Sequence, residues 1–400
     1  MVTFPSVTRS FRYRLVPTRA QAAILTAWLV ATRELYNAAL QERREAWSKQ
    51  RARATYVTQS AQLAGVREVR QDVATVPVIV LRGALRRLDK AFAAFFRRCK
   101  SGEKPGYPRF KGRHHWHSLL IDNLDGRVPI VAGGKRVAIP LLGKVKFKQH
   151  RPLLGTPKAM RLTVDAGGRW FVTFACVDVP TKPIASAPQR DVGIDLGLSQ
   201  LVATSDGEMF DNPRHLDAAR IDVERAQRRV SRKRRGSRRR RKAAVLLAKQ
   251  HARVANLRRE HAIRVARSLT ARYETVYVED LNIKGLARST LAKSVHDAAW
   301  GTLLHWLRCK AEEAGRAVVE VDPRGTSQAC SGCGATVPKT LSERIHRCSD
   351  CGLVLDRDVN AARNVLRFGQ SLRGAAPVVD GQRRSVKPQS ADRVTIESAI

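Results

Sequence analysis

DVGIDLGLSQLVATSDGEMF, residues 191–210, reads as strand, turn, strand, Gly turn, strand. The elements downstream of it fix how those three strands are used. A long polar helical stretch runs to about Ala271, then come the strand ETVYVED (274–280) and the helix HDAAWGTLLHWLRCKAEEAG (296–315). The strand RAVVEVD (316–322), a four-cysteine block and a helix beginning near Asp358 complete the second half. Working back, TKPIASAPQR (181–190) reads as a linker. Short β runs between 118 and 180, broken by Gly, Pro and Asn, point to a small antiparallel sheet or barrel. SFRYRLVP (10–17) reads as a strand. The stretches 18–47 and 80–99 carry apolar residues at helical spacing, among them Ile24, Leu25, Trp28 and Leu29, then Leu81, Leu85 and Leu88. Trp28, Trp300 and Trp306 sit among aliphatic neighbours and are expected in the core. The tail from 371 to 400 mixes Gly, Pro, Ser and charge and reads as disordered.

The chain has 400 residues, enough for two or three cores. Its 74 Lys+Arg against 35 Asp+Glu leave a formal charge of +39. A surface so positive repels itself, so its working state calls for a polyanion, and nucleic-acid phosphates are the first choice. Anionic lipid is the other reading. Against it stand the lack of an apolar stretch of spanning length and a start, MVTFPSVTRSFRYRL, without a continuous apolar core.

Of seven cysteines, Cys99, Cys176 and Cys309 are scattered and read as plain buried thiols in a reducing compartment. The other four form two pairs, Cys330-x2-Cys333 and Cys348-x2-Cys351, separated by 14 residues. Each pair is followed directly by a glycine, Gly334 or Gly352, which lets backbone amides turn towards the sulfurs. Four thiolates suit a closed tetrahedral Zn²⁺ site that is structural, with no position open for substrate.

Asp195 stands inside the strand GIDLG between Ile194 and Leu196. An acid there is costly unless it is paired or holds a metal. Glu279 closes the strand TVYVE, while Asp280 falls on the opposite face as a turn residue. Asp356 and Asp358 open the last helix, where acids ordinarily act as caps. Three antiparallel strands, helix, strand, helix, strand and helix is the element order of an RNase H-like domain. In that fold the first strand, the end of the fourth and the last helix converge. Acids at those places could hold two Mg²⁺ (or Mn²⁺) ions around one phosphate.

GIDLG (193–197), VEDLNIKGL (278–286), TSQACSGCG (326–334) and DRDVNAARN (356–364) together resemble the RuvC-type nuclease of the TnpB (OrfB) family, transposon-encoded RNA-guided DNA endonucleases related to type V CRISPR effectors. RYRLVPTRAQ, LYNAAL and GYPRFKGR resemble its N-terminal part. The resemblance spans roughly 10–366. It implies a multidomain α+β architecture: a β-barrel wedge domain (1–17 and 109–185), an inserted helical recognition domain (18–108), a RuvC-like nuclease (186–325 and 353–370) and a zinc ribbon (326–352). It implies the catalytic, Mg²⁺-binding triad Asp195, Glu279 and Asp358, with Asp356 as cap or supporting residue. The zinc ligands are Cys330, Cys333, Cys348 and Cys351. Its partners are a guide RNA from the transposon end and target double-stranded DNA beside a short motif, in the cytoplasm of a prokaryote, with a monomer favoured and no membrane. Two other readings use the same residues: a guide-independent transposase or structure-specific nuclease, and a non-cleaving RNA-guided repressor, which would be expected to lack one of the acids.

SRKRRGSRRRRK (231–242) holds nine cations in twelve residues: Arg232, Lys233, Arg234, Arg235, Arg238, Arg239, Arg240, Arg241 and Lys242. On a nuclease it reads as a phosphate-contacting segment beside a heteroduplex. Tyr107, Arg109, Phe110 and Lys111 of GYPRFKGR, with His114, His115, Trp116 and His117 beyond, read as a loop facing nucleic acid. Thr326, Ser327 and Gln328 either line the nuclease cleft or form a turn into the first cysteine pair.

Overall fold

The computed structural model describes residues 6–124, 129–130, 135–181, 190–288, 290, 292–340 and 343–375. In chain order the first part holds β1 (Ser6–Val16), α1 (Arg19–Gln50), α2 (Tyr56–Ala61), α3 (Leu63–Val69), α4 (Gln71–Ala74), α5 (Val78–Lys100), β2 (Ser118–Asp122), β3 (Arg136–Ile139), β4 (Gly143–Lys148), β5 (Thr156–Val164) and β6 (Trp170–Pro180). The second holds β7 (Asp191–Asp195), β8 (Gln200–Thr204), β9 (Met209–Asp211), α6 (His215–Ala218), α7 (Arg220–Ser231), α8 (Arg238–Arg272), β10 (Thr275–Glu279), α9 (Ile283–Leu286), α10 (Ala292–Ala298), α11 (Trp300–Ala314), β11 (Ala317–Val321), β12 (Ile345–Arg347), β13 (Val354–Asp356) and α12 (Arg357–Ala375).

Two compact units result. The first comprises residues 1–187, 213–271 and 293–316. Its sheet is antiparallel in the order β2-β5-β6-β1-β4-β3. Along β1, Phe11, Tyr13 and Leu15 turn into the core while Arg12 and Arg14 stay on the other face, with the Arg12 guanidinium 3.9 Å from the centre of the Phe171 ring. A Thr18–Gln21 capping box starts α1, whose Trp28 and Leu40 join Leu81, Leu85 and Leu88 of α5 in the same core. The expected barrel is an open sheet in its hydrogen bonding, since no ladder joins β2 to β3 among the described residues.

The second unit comprises residues 188–212, 272–292 and 317–400. Its sheet runs β11-β10-β7-β8-β9, with β7, β10 and β11 parallel and β7, β8 and β9 antiparallel. Helix α12 packs on this sheet, and glycines make the close approach possible. A Cβ on Gly193 would collide with the Ala362 carbonyl and the Leu366 backbone, and one on Gly369 would enter the Tyr277 ring.

Five sequence expectations are revised. The basic run 231–242 is not one helix: α7 stops at Ser231, Gly236 takes φ +81°, and α8 begins at Arg238. The helix expected over 296–315 breaks at Ala299, which adopts the left-handed φ of 54°. Trp306 is half-buried, beside Lys310, and Cys99 is exposed. The last helix continues past 370 to Ala375, while 376–400 and linker residues 182–189 lie outside the described residues.

Gly193→Ala should lower the thermal midpoint, because the added methyl forces α12 off the sheet at a cost of about 1–3 kcal/mol. Gly301→Ala, on α11 with nothing within 4 Å of its Cβ position, should instead gain about 0.5–1 kcal/mol. Thermal melts of both variants, read at one pH, test the contrast.

Candidate functional site

Parallel pairing of β7 with β10 matches Val276 to Val192 and Val278 to Ile194. One step further along that register, Asp195 and Glu279 stand at the carboxyl ends of neighbouring parallel strands. Alternation puts Gly193 and Asp195 on one face of β7, and Tyr277 and Glu279 on the same face of β10. That is the face α12 covers, through Gly193 and Gly369. The first turn of α12 therefore delivers Asp358 beside the strand ends, where a Cβ on Gly197 would lie 3.6 Å from Asp358 Oδ2. The positive end of the helix dipole faces the same place.

The electrostatics reflect this crowding. Burial, followed by the nearby charges of Glu279 and Asp358, pushes the Asp195 carboxyl up to about 8. Burial also raises Glu279, against a Thr326 hydroxyl bond that favours its ionised form, and raises Asp358, with Asp356 adding to the rise and Arg344 and Arg357 opposing it. Asp358 is 3.8 Å from Arg344. Among the described residues, the three acids are not drawn together as tightly as the cysteines, the one set whose ligand atoms all lie within 4.8 Å of one another. Asp356 does different work. Its Oδ1 accepts from the Asp358 amide at 2.8 Å and the Val359 amide at 3.3 Å, which caps α12. Asp280 is exposed and its amide bonds the Val321 carbonyl.

The four cysteines form the other centre. Cys330 and Cys351 sulfurs are 3.6 Å apart, as are those of Cys333 and Cys348. The Gly334 amide returns to the Cys330 carbonyl and the Gly352 amide to the Cys348 carbonyl, each glycine at positive φ. Four soft donors gathered on two short turns fit a tetrahedral ion. None of the three scattered cysteines joins them.

In the basic hairpin, Arg232, Arg234, Arg235, Arg238, Arg239, Arg241 and Lys242 are exposed. Arg240 is not free for a phosphate: it donates to the Val230 and Lys233 carbonyls at 2.9 and 3.2 Å and closes the turn between α7 and α8. In the other loop Lys111 is tied to Asn37 through both its backbone N–H and its carbonyl. Tyr107 packs edge-on against Phe92 and Phe95, Phe110 is exposed with Arg44 over its ring, and Arg109 is exposed. Trp116 belongs to the core and donates its indole N–H to Thr32. His114, His115 and His117 are exposed.

Sequence reasoning missed a polar link around Asn360 and Asn364, both fully buried. Each donates to the Ala329 carbonyl, at 2.8 and 2.7 Å, and Asn360 accepts from the Ser331 amide. Their spacing of four on one helix, in NAARN, was the available signal.

Comparison with known proteins adds three observations. A family model described as "Probable transposase" (OrfB, IS605) matches residues 174–290, and one described as "Cas12f1-like, TNB domain" matches 300–365. A model described as a helix-turn-helix domain matches 1–52, where the structure has one strand and a single 32-residue helix. A Streptomyces pristinaespiralis protein named "Putative RNA-guided DNA endonuclease" is 35% identical over 95% of this chain and 94% of its own length. The Escherichia coli protein of the same description, InsQ, is 26% identical over 94% and 96%. Among solved structures, a Cas12f1–sgRNA–target DNA complex aligns with TM-score 0.53 and 13% identity over 90% of this chain and 98% of that one, a likeness of fold.

The crowding of the acids sets a pH dependence. Burial and the neighbouring acids raise Asp195, so the stability that its protonated form contributes is full below its ordinary value of 3.8 and is lost as pH rises towards 8. Asp195→Asn should remove that slope. In protein stripped of divalent ions, its thermal midpoint at pH 8 should exceed the wild type's by about 2–4 °C, whereas equal midpoints at pH 5 and 8 in both proteins contradict the crowding.

Proposed function

The chain belongs to the TnpB (OrfB) family, and from that premise we propose that it is an RNA-guided DNA endonuclease whose RuvC-like centre is Asp195, Glu279 and Asp358. The observation that carries this reading is geometric. Three acids from distant parts of the sequence are brought to the carboxyl ends of two parallel strands and the start of one helix. An all-oxygen donor set, half-buried at Asp195 and Asp358 and buried at Glu279, with an excess of negative charge fits Mg²⁺ or Mn²⁺. When bound, such ions supply the Lewis acidity for in-line hydrolysis of a phosphodiester. The chain's own contribution is to fix the donors: the strands set Asp195 and Glu279, and the Asp356 cap fixes the turn that carries Asp358.

The reading extends to the architecture. Residues 1–17 and 109–185 form the wedge, 18–108 the recognition domain, 186–325 and 353–370 the nuclease, and 326–352 a zinc ribbon. The strand order β11-β10-β7-β8-β9, with the last helix over β7, supports the RNase H-like assignment. The formal charge of +39 suits a chain that must neutralise both a guide RNA and a DNA target. Among the described residues no helix is long and apolar enough to cross a membrane.

RNA that co-purifies when the gene is expressed with its native downstream DNA should be one species with a constant scaffold, and sequencing it gives the target to test. With that RNA, Asp195→Ala, Glu279→Ala and Asp358→Ala should each cut at least about 100-fold more slowly while gel-shift binding is kept. Asp356→Asn, which preserves a capping oxygen, should cut like the wild type. Cleavage that needs no RNA points to a guide-independent nuclease instead. The purified protein should carry one zinc per chain by plasma mass spectrometry, and Cys348→Ser should lose it together with several degrees of thermal midpoint.

A further inference from the structure

We propose that Thr326 is a positioning residue for the Glu279 carboxylate, and that Asn364 and the neck of the cysteine ribbon hold it there. The proposal rests on the nuclease reading above.

Thr326 is fully buried, and its Oγ1 lies 2.5 Å from Glu279 Oε1. Among the described residues this hydroxyl is the only hydrogen-bond partner of the Glu279 carboxylate. The Pro323 carbonyl is also 2.8 Å from Oγ1. A threonine hydroxyl has one proton, so when Glu279 is ionised the charge-assisted bond to its carboxylate takes that proton. The terminal torsion of a glutamate is broad, and a carboxylate at a strand end can swing. One fixed oxygen stops the swing and leaves the other, Oε2, for the cleft.

What holds Thr326 is just as specific. Its carbonyl accepts from Asn364 Nδ2 at 2.9 Å, and the same amide donates to the Ala329 carbonyl at 2.7 Å. Asn360 Nδ2 reaches Ala329 too, and Asn360 Oδ1 accepts from the Ser331 amide at 2.9 Å. Ala329 and Ser331 flank Cys330, a ribbon ligand. A continuous run of buried and part-buried polar contacts therefore leads from the cysteine centre, through α12 and Thr326, to the carboxylate on β10. Groups that orient a metal-binding carboxylate in this way typically carry about 10–100-fold in metal affinity or activity.

A threonine that merely closes the turn at Pro323 would matter to folding alone, so the test separates the two roles. Thr326→Val keeps the shape and removes the hydroxyl; Thr326→Ser keeps the hydroxyl; Thr326→Cys keeps the size with a weak donor. Mn²⁺ binding is read by calorimetry on the RNA-loaded protein without DNA, beside cleavage at several Mn²⁺ concentrations, thermal midpoint and zinc content. The expected result is an about 10-fold weaker Mn²⁺ affinity and about 10–100-fold slower cleavage for Thr326→Val. Thr326→Cys should fall between, Thr326→Ser should stay near wild type, and zinc content should be unchanged in all. Wild-type Mn²⁺ affinity in Thr326→Val overturns the proposal alone. So does a loss in Thr326→Val and Thr326→Cys that tracks their thermal midpoints and is not rescued by Thr326→Ser. If wild type and Asp195→Ala bind Mn²⁺ alike, the nuclease reading falls and takes the proposal with it.

Discussion

Three carboxylates brought near one another, one buried and two half-buried, repel one another, and the second unit is organised around tolerating that repulsion. Neither β7 nor β10 alone gains from ending in an acid. The cost is borne by the packing of α12, which approaches so near that only glycine fits at positions 193 and 369. Close packing of this kind has few alternatives. It fixes where the first turn of the helix must lie, and the acid on that turn has no separate freedom. The positive end of the helix and the nearby Arg344 and Arg357 offset part of the charge. The remainder is left over for a cation, which is what a metal site needs before the metal arrives.

The two candidate metal centres divide along the hardness of their donors. Sulfur gathers on two knuckles, with Cys330 and Cys348 buried and Cys333 and Cys351 exposed, and all four atoms are close enough together to hold one ion. Oxygen gathers at strand ends, where ligands and solvent can approach. The polar contacts through Asn360 and Asn364 tie the first centre to the second. This gives a mechanical reason for a ribbon placed just before the last helix: it anchors the loop that must set down α12 in register.

Much of this was legible in the sequence, for identifiable reasons. The succession of elements came from short alternating runs with Gly turns, and the cysteine quartet from its spacing. Asp195 stood out because an acid inside an apolar strand conflicts with its surroundings. Less visible were features that depend on geometry beyond a few residues. The basic run hid its turn because nine like charges masked Gly236, and Arg240 was indistinguishable from its neighbours until its two carbonyl partners appeared. Nothing local marked Ala299 as a break. Asp356 and Asp358 look alike as letters; the family resemblance gave them different parts, and in the structure Asp356 bonds the helix amides while Asp358 lies beside the strand ends. The bond from Thr326 to Glu279 joins residues 47 positions apart, which no periodicity reports.

Helix α12 is the last of the described elements, and this has a consequence for synthesis. Chains grow from the amino end and their domains fold as they emerge. Most of the cations, the basic hairpin among them, are translated before Asp358, as are Asp195 and Glu279. A nascent or prematurely terminated chain can therefore present most of its cations while the acid cluster is still short of one carboxylate. The basic surface is thus largely in place before the acid cluster is complete.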